Sequence, residues 1–459
     1  MATLLSRCAP AYIFPAITKS SEVRERPLWS ALNEPERQTI ADELKYAYEW
    51  LLVHRDDPRN LLNQAWIHKY YCSDNIGQVN IHNSWYFLPW HRAFLYFHEQ
   101  ILQSVLKKPE FRLPIWDWDH PTKGQVVPPA YQCLPPCAPP LIAPRARQPK
   151  LLAPITPCIL KTWMISNNPD EFLGGDGVAG SSSSAGDAFG GPHSFVHTSL
   201  RGYMSDVKNA AVDPLFYAHH ANIDRFFQHW LDRNGVPKSP ADPIPFHFVT
   251  GDGKVVSVDV AQMMHMKVRD LGYDFPRSSP LLGALEKWVQ TPLNLPDIAI
   301  EGSFGDWLAK LLRGAPTAAL VAAGSALEGN GMIPVAVTFP CHDPFVPGQA
   351  YLIEVKSLKK PYDSLIIGGF GTAGGHHAGS NLTVAICISK DLISFVKRNG
   401  ANFNVVFAPP TTDRLAKDIV VPNFELLQKF TLAKVRLIAP TTPDPDSGIF
   451  RRLKGFLHI

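Results

Sequence analysis

The sequence predicts a mainly α first domain, built as a four-helix bundle, followed by a small β segment and a C-terminal β-sandwich. Three observations carry that expectation. Apolar residues recur at spacings of three and four through the first half, as one buried face of a helix requires. After Gly235 the period changes to alternation around a Gly-Asp-Gly turn at 251–253. From 333 to 438 short strand-like runs recur (PVAVTF, AYLIEV, SLIIGGF, LTVAICI, FNVVFA) between Gly, Pro and Asn turns.

In chain order, Asn33 is placed to cap a first helix, with Pro35 and Glu36 in its first turn and Ile40, Leu44, Ala47, Tyr48 and Leu51 on its apolar face. A second helix is expected from Pro58 or Arg59 to Tyr71. A loop at 75–78 leads to His82 and to a third helix from about Pro89 to Lys107. LPIWDWDHP, 113–121, is short and closed by proline; 123–157 is proline-rich and reads as a surface excursion. A Gly/Ser-rich loop, 174–191, runs into a helix carrying His193 and His197, and a second loop, 202–213, precedes a last helix after Pro214. Residues 246–260 read as a hairpin, and a short helix is expected at 304–312.

A chain of 459 residues exceeds one ordinary core. The expected division is a tail or residual targeting segment at 1–23, a catalytic domain at 24–235, a hairpin segment packed on it at 236–280, a connector at 281–331, the sandwich at 332–440 and a tail at 441–459. With 45% hydrophobic and 19% charged residues and a net charge of +3, the chain lacks the concentrated basic stripe of a nucleic-acid binder. Its most apolar stretch, 315–327, is too short for an integral membrane span and holds Gly324 and Ser325. Seven scattered cysteines without close zinc-type pairs argue against a disulfide framework; the pairing of Cys133, Cys137 and Cys158 stays open.

Chemistry concentrates in histidines. His68, His82 and His91 form one group; His193, His197 and one of the adjacent His219 and His220 form another. Singly, each is an ordinary core or surface residue. Together they offer three imidazoles per group from helices of one bundle, where metal sites are built. Imidazole suits zinc, copper, iron and nickel, and the absence of a Glu-x-x-His pattern at these positions favours copper.

The motifs carrying these histidines resemble a known family. His68 to Cys72 as H-x3-C, VNIHNSWYFLPWHRAFLYFHE, LPIWDWDHP, PHSFVH and DPLFYAHHANIDRFFQHW are similar, in order, to those of plant-type polyphenol oxidases, in the tyrosinase and catechol oxidase group of coupled dinuclear type 3 copper proteins. The likeness covers roughly 26–231 well, and the hairpin and sandwich regions more weakly. It implies two copper ions per chain, one on His68, His82 and His91 and the other on His193, His197 and His220. His219 then supports its neighbour, His98 fills the core, and His376 and His377 lie at the surface. Cys72 falls where the family forms a thioether to the histidine at position 82. Most of the family's N-terminal disulfide framework is missing, with Lys69 at one cysteine position.

The implied reaction is oxidation of o-diphenols to o-quinones, with O2 reduced to water and weak or absent monophenol hydroxylation. Ser194 stands where good hydroxylases carry asparagine, and Phe189 where they carry a water-holding glutamate; Asp187 is out of register. Thr198 is expected to shape the substrate entrance, and Val207 replaces a bulky phenylalanine. Asp224 and Arg225 are expected to brace the last ligand helix, and Asn222 to orient a loop or ligand. The sandwich is expected to shield the site and keep the enzyme latent, through 339–347 or 368–379. The alternatives are a full monophenolase, a reversible dioxygen carrier and a copper-poor scaffold. Phenols and O2 are the expected partners. The resemblance implies a plastid lumen; the short N-terminal segment leaves the cytoplasm open, and oligomeric state is not read.

Overall fold

The computed structural model describes residues 11–12, 23–72, 80–82, 84–120, 122–132, 134, 169–174, 186, 188–200, 202–238, 244–276, 288–293, 333–340, 350–360, 362–371, 381–388, 390–399, 403–408 and 434–440. The expected helix at 304–312, Cys133, Cys137, Cys158, Asp187, His376 and His377 lie outside them, as do 341–347 and 372–379 of the two shielding segments.

Helix α1, Glu34–Val53, starts in a capping box. The Asn33 side chain accepts the Glu36 amide, and the Glu36 carboxylate accepts that of Asn33. Leu44, Ala47, Tyr48 and Leu51 are buried on its inner face. Helix α2, Leu61–Tyr71, begins two residues later than Arg59, because Asn60 accepts the Asn63 amide and Arg59 folds back onto Asp57. Helix α3, Phe87–Leu106, starts ahead of Pro89, which occupies its third position; an amide there has no intrahelical partner to lose. Helix α4 spans Ser194–Leu200 and helix α5 spans Leu215–Asn234. Two 3-10 turns, Gly202–Ser205 and Ala210–Val212, lie within the expected loop before α5.

Strands β1, Pro245–Val249, and β2, Val255–Asp259, form the expected hairpin, with Gly253 at φ +81° in its turn. Further on, β3 (Trp288–Leu293), β4 (Ile333–Pro340), β5 (Ala350–Ser357), β6 (Ser364–Gly371), β7 (Asn381–Ile388), β8 (Phe403–Ala408) and β9 (Lys434–Pro440) join in the order β8-β5-β6-β7-β4-β9-β3, every pair antiparallel. Helix α6 is Lys390–Asn399.

The chain divides into two compact units. One comprises Met1–Leu151, Pro169–Phe189 and Leu200–Leu282; the other comprises Leu152–Asn168, Gly190–Ser199 and Gly283–Ile459. The second unit therefore joins most of α4 to the C-terminal sheet. Gly371, ending β6, meets α4 directly: a Cβ there would lie 2.5 Å from the Ser194 carbonyl, so only glycine admits that approach.

The first unit is tied by buried ions. Asp224 of α5 accepts from Arg92 of α3 at 2.6 Å, from Arg26 at 3.1 Å and from the Tyr273 hydroxyl at 2.7 Å; Arg26 also reaches Glu99 of α3 at 3.0 Å. Burial opposes the Arg26 charge, but Glu99, Tyr273 and Asp224 outweigh it and keep the guanidinium protonated above its usual range. A second knot holds Asp119 between Arg225 at 2.5 Å and Asn222 at 2.9 Å. Asp224 and Arg225 thus brace α5 as the sequence suggests, and Asn222 holds the loop that carries Asp119. Among the described residues, no helix is long and apolar enough to cross a membrane.

Candidate metal centre

Three elements of the first unit bring His68, His82 and His91 together. His68 sits in the last turn of α2, and the chain leaves that helix at Cys72, whose amide donates to the His68 carbonyl. His82 lies in the segment before α3. There Asn80 accepts the His82 amide at 2.9 Å through its side chain and the Ser84 hydroxyl at 2.9 Å through its carbonyl. This local Asx turn fixes where the His82 ring is presented. His91 occupies the second turn of α3.

The imidazole centroids are 5.2 Å apart for His68 and His82, 5.2 Å for His82 and His91, and 5.5 Å for His68 and His91. All three rings are buried. His91 Nδ1 donates to the Phe87 carbonyl at 2.7 Å. Its proton is therefore committed to the backbone, and Nε2 keeps a lone pair, 3.4 Å from His68 Nε2. Two nitrogens at that separation, from rings edge-on to each other, converge as donors to one ion do.

His220 of α5 joins this group in the same unit. Its ring stacks on His91 at 4.3 Å and 8°, and packs on Phe216 at 4.1 Å. The adjacent His219 also packs near Trp118, 5.8 Å away between centroids. The turn of about 100° between neighbours on a helix holds the two rings 5.0 Å apart and at 73° to each other. His193 and His197 lie in the second unit, one helical turn apart, with centroids 4.4 Å apart and both rings buried. The backbone just before them is irregular at Gly191 and Pro192, which lets His193 enter the helix at a kink.

Cys72 is buried with its Sγ 3.5 Å from His68 Nδ1 and within 4.8 Å of a ring nitrogen of His82. Burial pushes its thiol well above the ordinary range, with Lys208 opposing, so it offers no ready thiolate. Aromatic rings wall the group. Phe189 lies 5.4 Å from His82 and 5.3 Å from Phe87; Trp90 lies 5.8 Å from His68. Val207 is buried, and Thr198 is buried with its hydroxyl donating to the Ser194 carbonyl at 2.7 Å. His98 stacks on Tyr217 at 3.5 Å and meets the Tyr48 hydroxyl at 3.0 Å, a core role. The orienting parts that sequence reading missed are Asn80 and the Phe87 carbonyl. Asn80, two residues before His82, carried a local turn signal.

Buried imidazoles without a carboxylate in the His68, Cys72, His82 group suit a borderline transition metal such as copper and fit no oxygen-seeking cation. The common central domain of tyrosinase matches residues 58–138 and 143–233. The chain is 30% identical over 253 residues to the latent form of a chloroplastic polyphenol oxidase of Prunus armeniaca, covering 47% of this chain and 41% of that protein. It is 31% identical over 261 residues to the chloroplastic (+)-larreatricin hydroxylase of Larrea tridentata, covering 48% and 42%. These matches span less than half the length of either relative. The fold is that of latent apple tyrosinase, with a TM-score of 0.54 at 20% identity over 94% of this chain and 98% of that one. Over its histidine-bearing central part the chain is therefore similar to the common central domain of tyrosinase and to plant polyphenol oxidases, and it shares their fold.

Proposed function

We propose that this chain is a copper-dependent oxidase that converts o-diphenols to o-quinones while O2 is reduced to water, with little hydroxylation of monophenols. The observation that carries the reading is the buried cluster of His68, His82 and His91, with the His91 tautomer fixed by the Phe87 carbonyl. His68, His82 and His91 would hold one copper, and His193, His197 and His220 the second. Once bound, the pair supplies two-electron redox chemistry with dioxygen. Two catechols each give up two electrons and two protons, and one O2 takes four of each to become two waters.

The protein's own share is to hold, orient and keep dry. The carbonyl of Phe87 commits the His91 proton away from the metal, and Asn80 sets the segment presenting His82. A thioether between Cys72 and His82 would lock that ring further. No acid stands at position 189: Phe189 is buried against His82 and has no oxygen to hold a proton-accepting water. Ser194 and Val207, in place of asparagine and a bulky phenylalanine, favour a diphenolase in the same way. The larreatricin hydroxylase relative favours the second reading, a monophenol hydroxylase. Oxygen uptake after copper loading decides. Fast turnover of 4-methylcatechol with slow turnover of tyramine supports the proposal; equal, lag-free rates refute the diphenolase preference, and no uptake with either refutes the oxidase.

The contact of Gly371 with the Ser194 backbone supports a regulatory role for the C-terminal sheet, since that sheet touches the helix bearing His197. Cleavage in the 281–331 connector is expected to change activity, and unchanged activity after cleavage removes the idea. The chloroplastic relatives support a plastid location, which a fluorescent fusion in plant cells tests.

A further inference from the structure

Trp90 precedes His91 on α3 and touches two of the buried imidazoles, His91 at 5.0 Å and His68 at 5.8 Å between centroids. From Trp90 a line of oxidisable rings leads outward. Tyr71 lies 5.9 Å from Trp90, Tyr70 lies 5.0 Å from Tyr71, and Trp66 stacks at 5.1 Å on Tyr70. Trp90 and Tyr71 are buried, whereas Tyr70 and Trp66 are partly exposed on α2. Each ring is in contact with the next, so the line has no gap between the imidazoles and the surface.

The middle ring has a proton acceptor. The Tyr71 oxygen accepts the backbone amide of His247 at 2.9 Å and lies 3.0 Å from His247 Nδ1. With the oxygen already accepting the amide, donation to Nδ1 is what satisfies the phenol hydrogen. Burial lowers the His247 pKa, leaving a neutral ring able to take a proton, and pushes that of Tyr71 up to about 12, so simple deprotonation is closed to the phenol. Tyr71 is built to lose its electron and its proton together.

We propose that Trp90, Tyr71, Tyr70 and Trp66 form a redox relay that carries oxidising equivalents from the metal centre to the surface, with His247 as the proton acceptor of Tyr71. The inference rests on the oxidase reading above: copper held by His68, His82 and His91 would supply a one-electron oxidant drawn from O2 when no phenol is present. One electron passes from Tyr71 through Trp90 to that oxidant. The Tyr71 O–H bond breaks as an N–H bond forms on His247 Nδ1, leaving a neutral phenoxyl radical and an imidazolium. An electron drawn from Tyr70 or Trp66 refills Tyr71, and the proton returns to its oxygen. The exposed end loses its own proton to solvent and is repaired by a one-electron reductant, such as a free phenol or a thiol. The ligand histidines are thereby spared oxidation.

The test compares copper-loaded wild type with Tyr71→Phe and His247→Gln. Phe keeps the ring packing, and Gln leaves Tyr71 in place without its imidazole. Each protein is treated with hydrogen peroxide without phenol and followed by electron paramagnetic resonance with ring-deuterated tyrosine, by mass mapping of oxidised residues and by loss of bound copper. Both variants are expected to keep wild-type copper content and initial catechol rate. Wild type should give a tyrosyl signal and oxidation at Trp66 and Tyr70. Tyr71→Phe should lose that signal, shift oxidation to His91 and its neighbours, and lose copper several-fold faster; His247→Gln should weaken the signal. An unchanged signal, oxidation map and copper loss in Tyr71→Phe overturns the relay while the oxidase reading stands. Failure of wild type to oxidise catechol overturns both.

Discussion

Replacing Asp224 tests how α3 and α5, the helices that carry His91 and His220, are held. Asp224 follows His220 by one turn of α5 and receives Arg92, which follows His91 on α3. It also receives Arg26 and Tyr273, and all four side chains are buried. Asp224→Ala leaves Arg92 buried without a carboxylate, while Arg26 keeps Glu99, and breaking a buried ion pair from one side costs about 3–5 kcal/mol. Losing the Tyr273 bond alone, as in Tyr273→Phe, removes a hydrogen bond to a charged group worth about 1.5–3 kcal/mol. Against a whole-domain stability of about 5–15 kcal/mol, the Asp224 loss is a large share. Asp224→Asn should fall between, because an amide can accept from one arginine only by turning its own donors towards the other. Urea unfolding gives the free energies, and copper stoichiometry reports whether α3 and α5 still present His91 and His220 together. The double variant with Tyr273→Phe should be less than additive, since the partners share one carboxylate. An Asp224→Ala stability within about 0.5 kcal/mol of wild type, the range of ordinary surface substitutions, would show that the brace carries no stability.

Three further outcomes are expected. Gly371→Ala places a methyl 2.5 Å from the Ser194 carbonyl, so β6 or α4 must shift; overpacking of this kind costs about 1–3 kcal/mol, and thermal unfolding together with copper retention checks it. Burial lowers the His98 pKa from 6.5 to about 3, so the unfolded chain binds a proton that the folded chain refuses; stability is full above pH 6.5 and falls as the pH drops towards about 3. His98→Phe should flatten that part of the stability profile relative to wild type, and an identical acid slope contradicts it. Removing copper with a chelator should lower the unfolding temperature, and re-addition should restore it, because a ligand at 100 times its dissociation constant stabilises the native state by about 2.7 kcal/mol.

The clustering of the candidate histidines was legible because they travel with local signals. His68, His91 and His220 lie in aromatic-rich helical stretches, and Asn33 and Glu36 announce a capped helix that forms as read. Boundaries were less legible, since side-chain caps decide them: Asn60 moves the start of α2 past Arg59, and Pro89 is tolerated inside the first turn of α3. Strand β3 was missed because Pro292 interrupts its pattern; it survives at the edge of the sheet, where a missing amide costs little. The residues that hold the centre were the hardest to see. Arg26 meets Asp224 across 198 residues, and no local period encodes such a pair.

That difference has a physical cause. A ligand histidine must present one nitrogen, and its helix and one nearby carbonyl suffice, as Phe87 does for His91. Bringing ligands from two helices to one point is a tertiary problem, and apolar packing is poorly directional. Here the direction comes from charge: Asp224 links α3 to α5, and Asp119 ties α5 to the 113–121 stretch. Both carboxylates are taken up by side-chain donors, Asp224 by Arg92, Arg26 and Tyr273 and Asp119 by Arg225 and Asn222. The acids in these motifs are therefore read as braces, and substitution at them should alter copper retention before it alters the chemistry of bound copper.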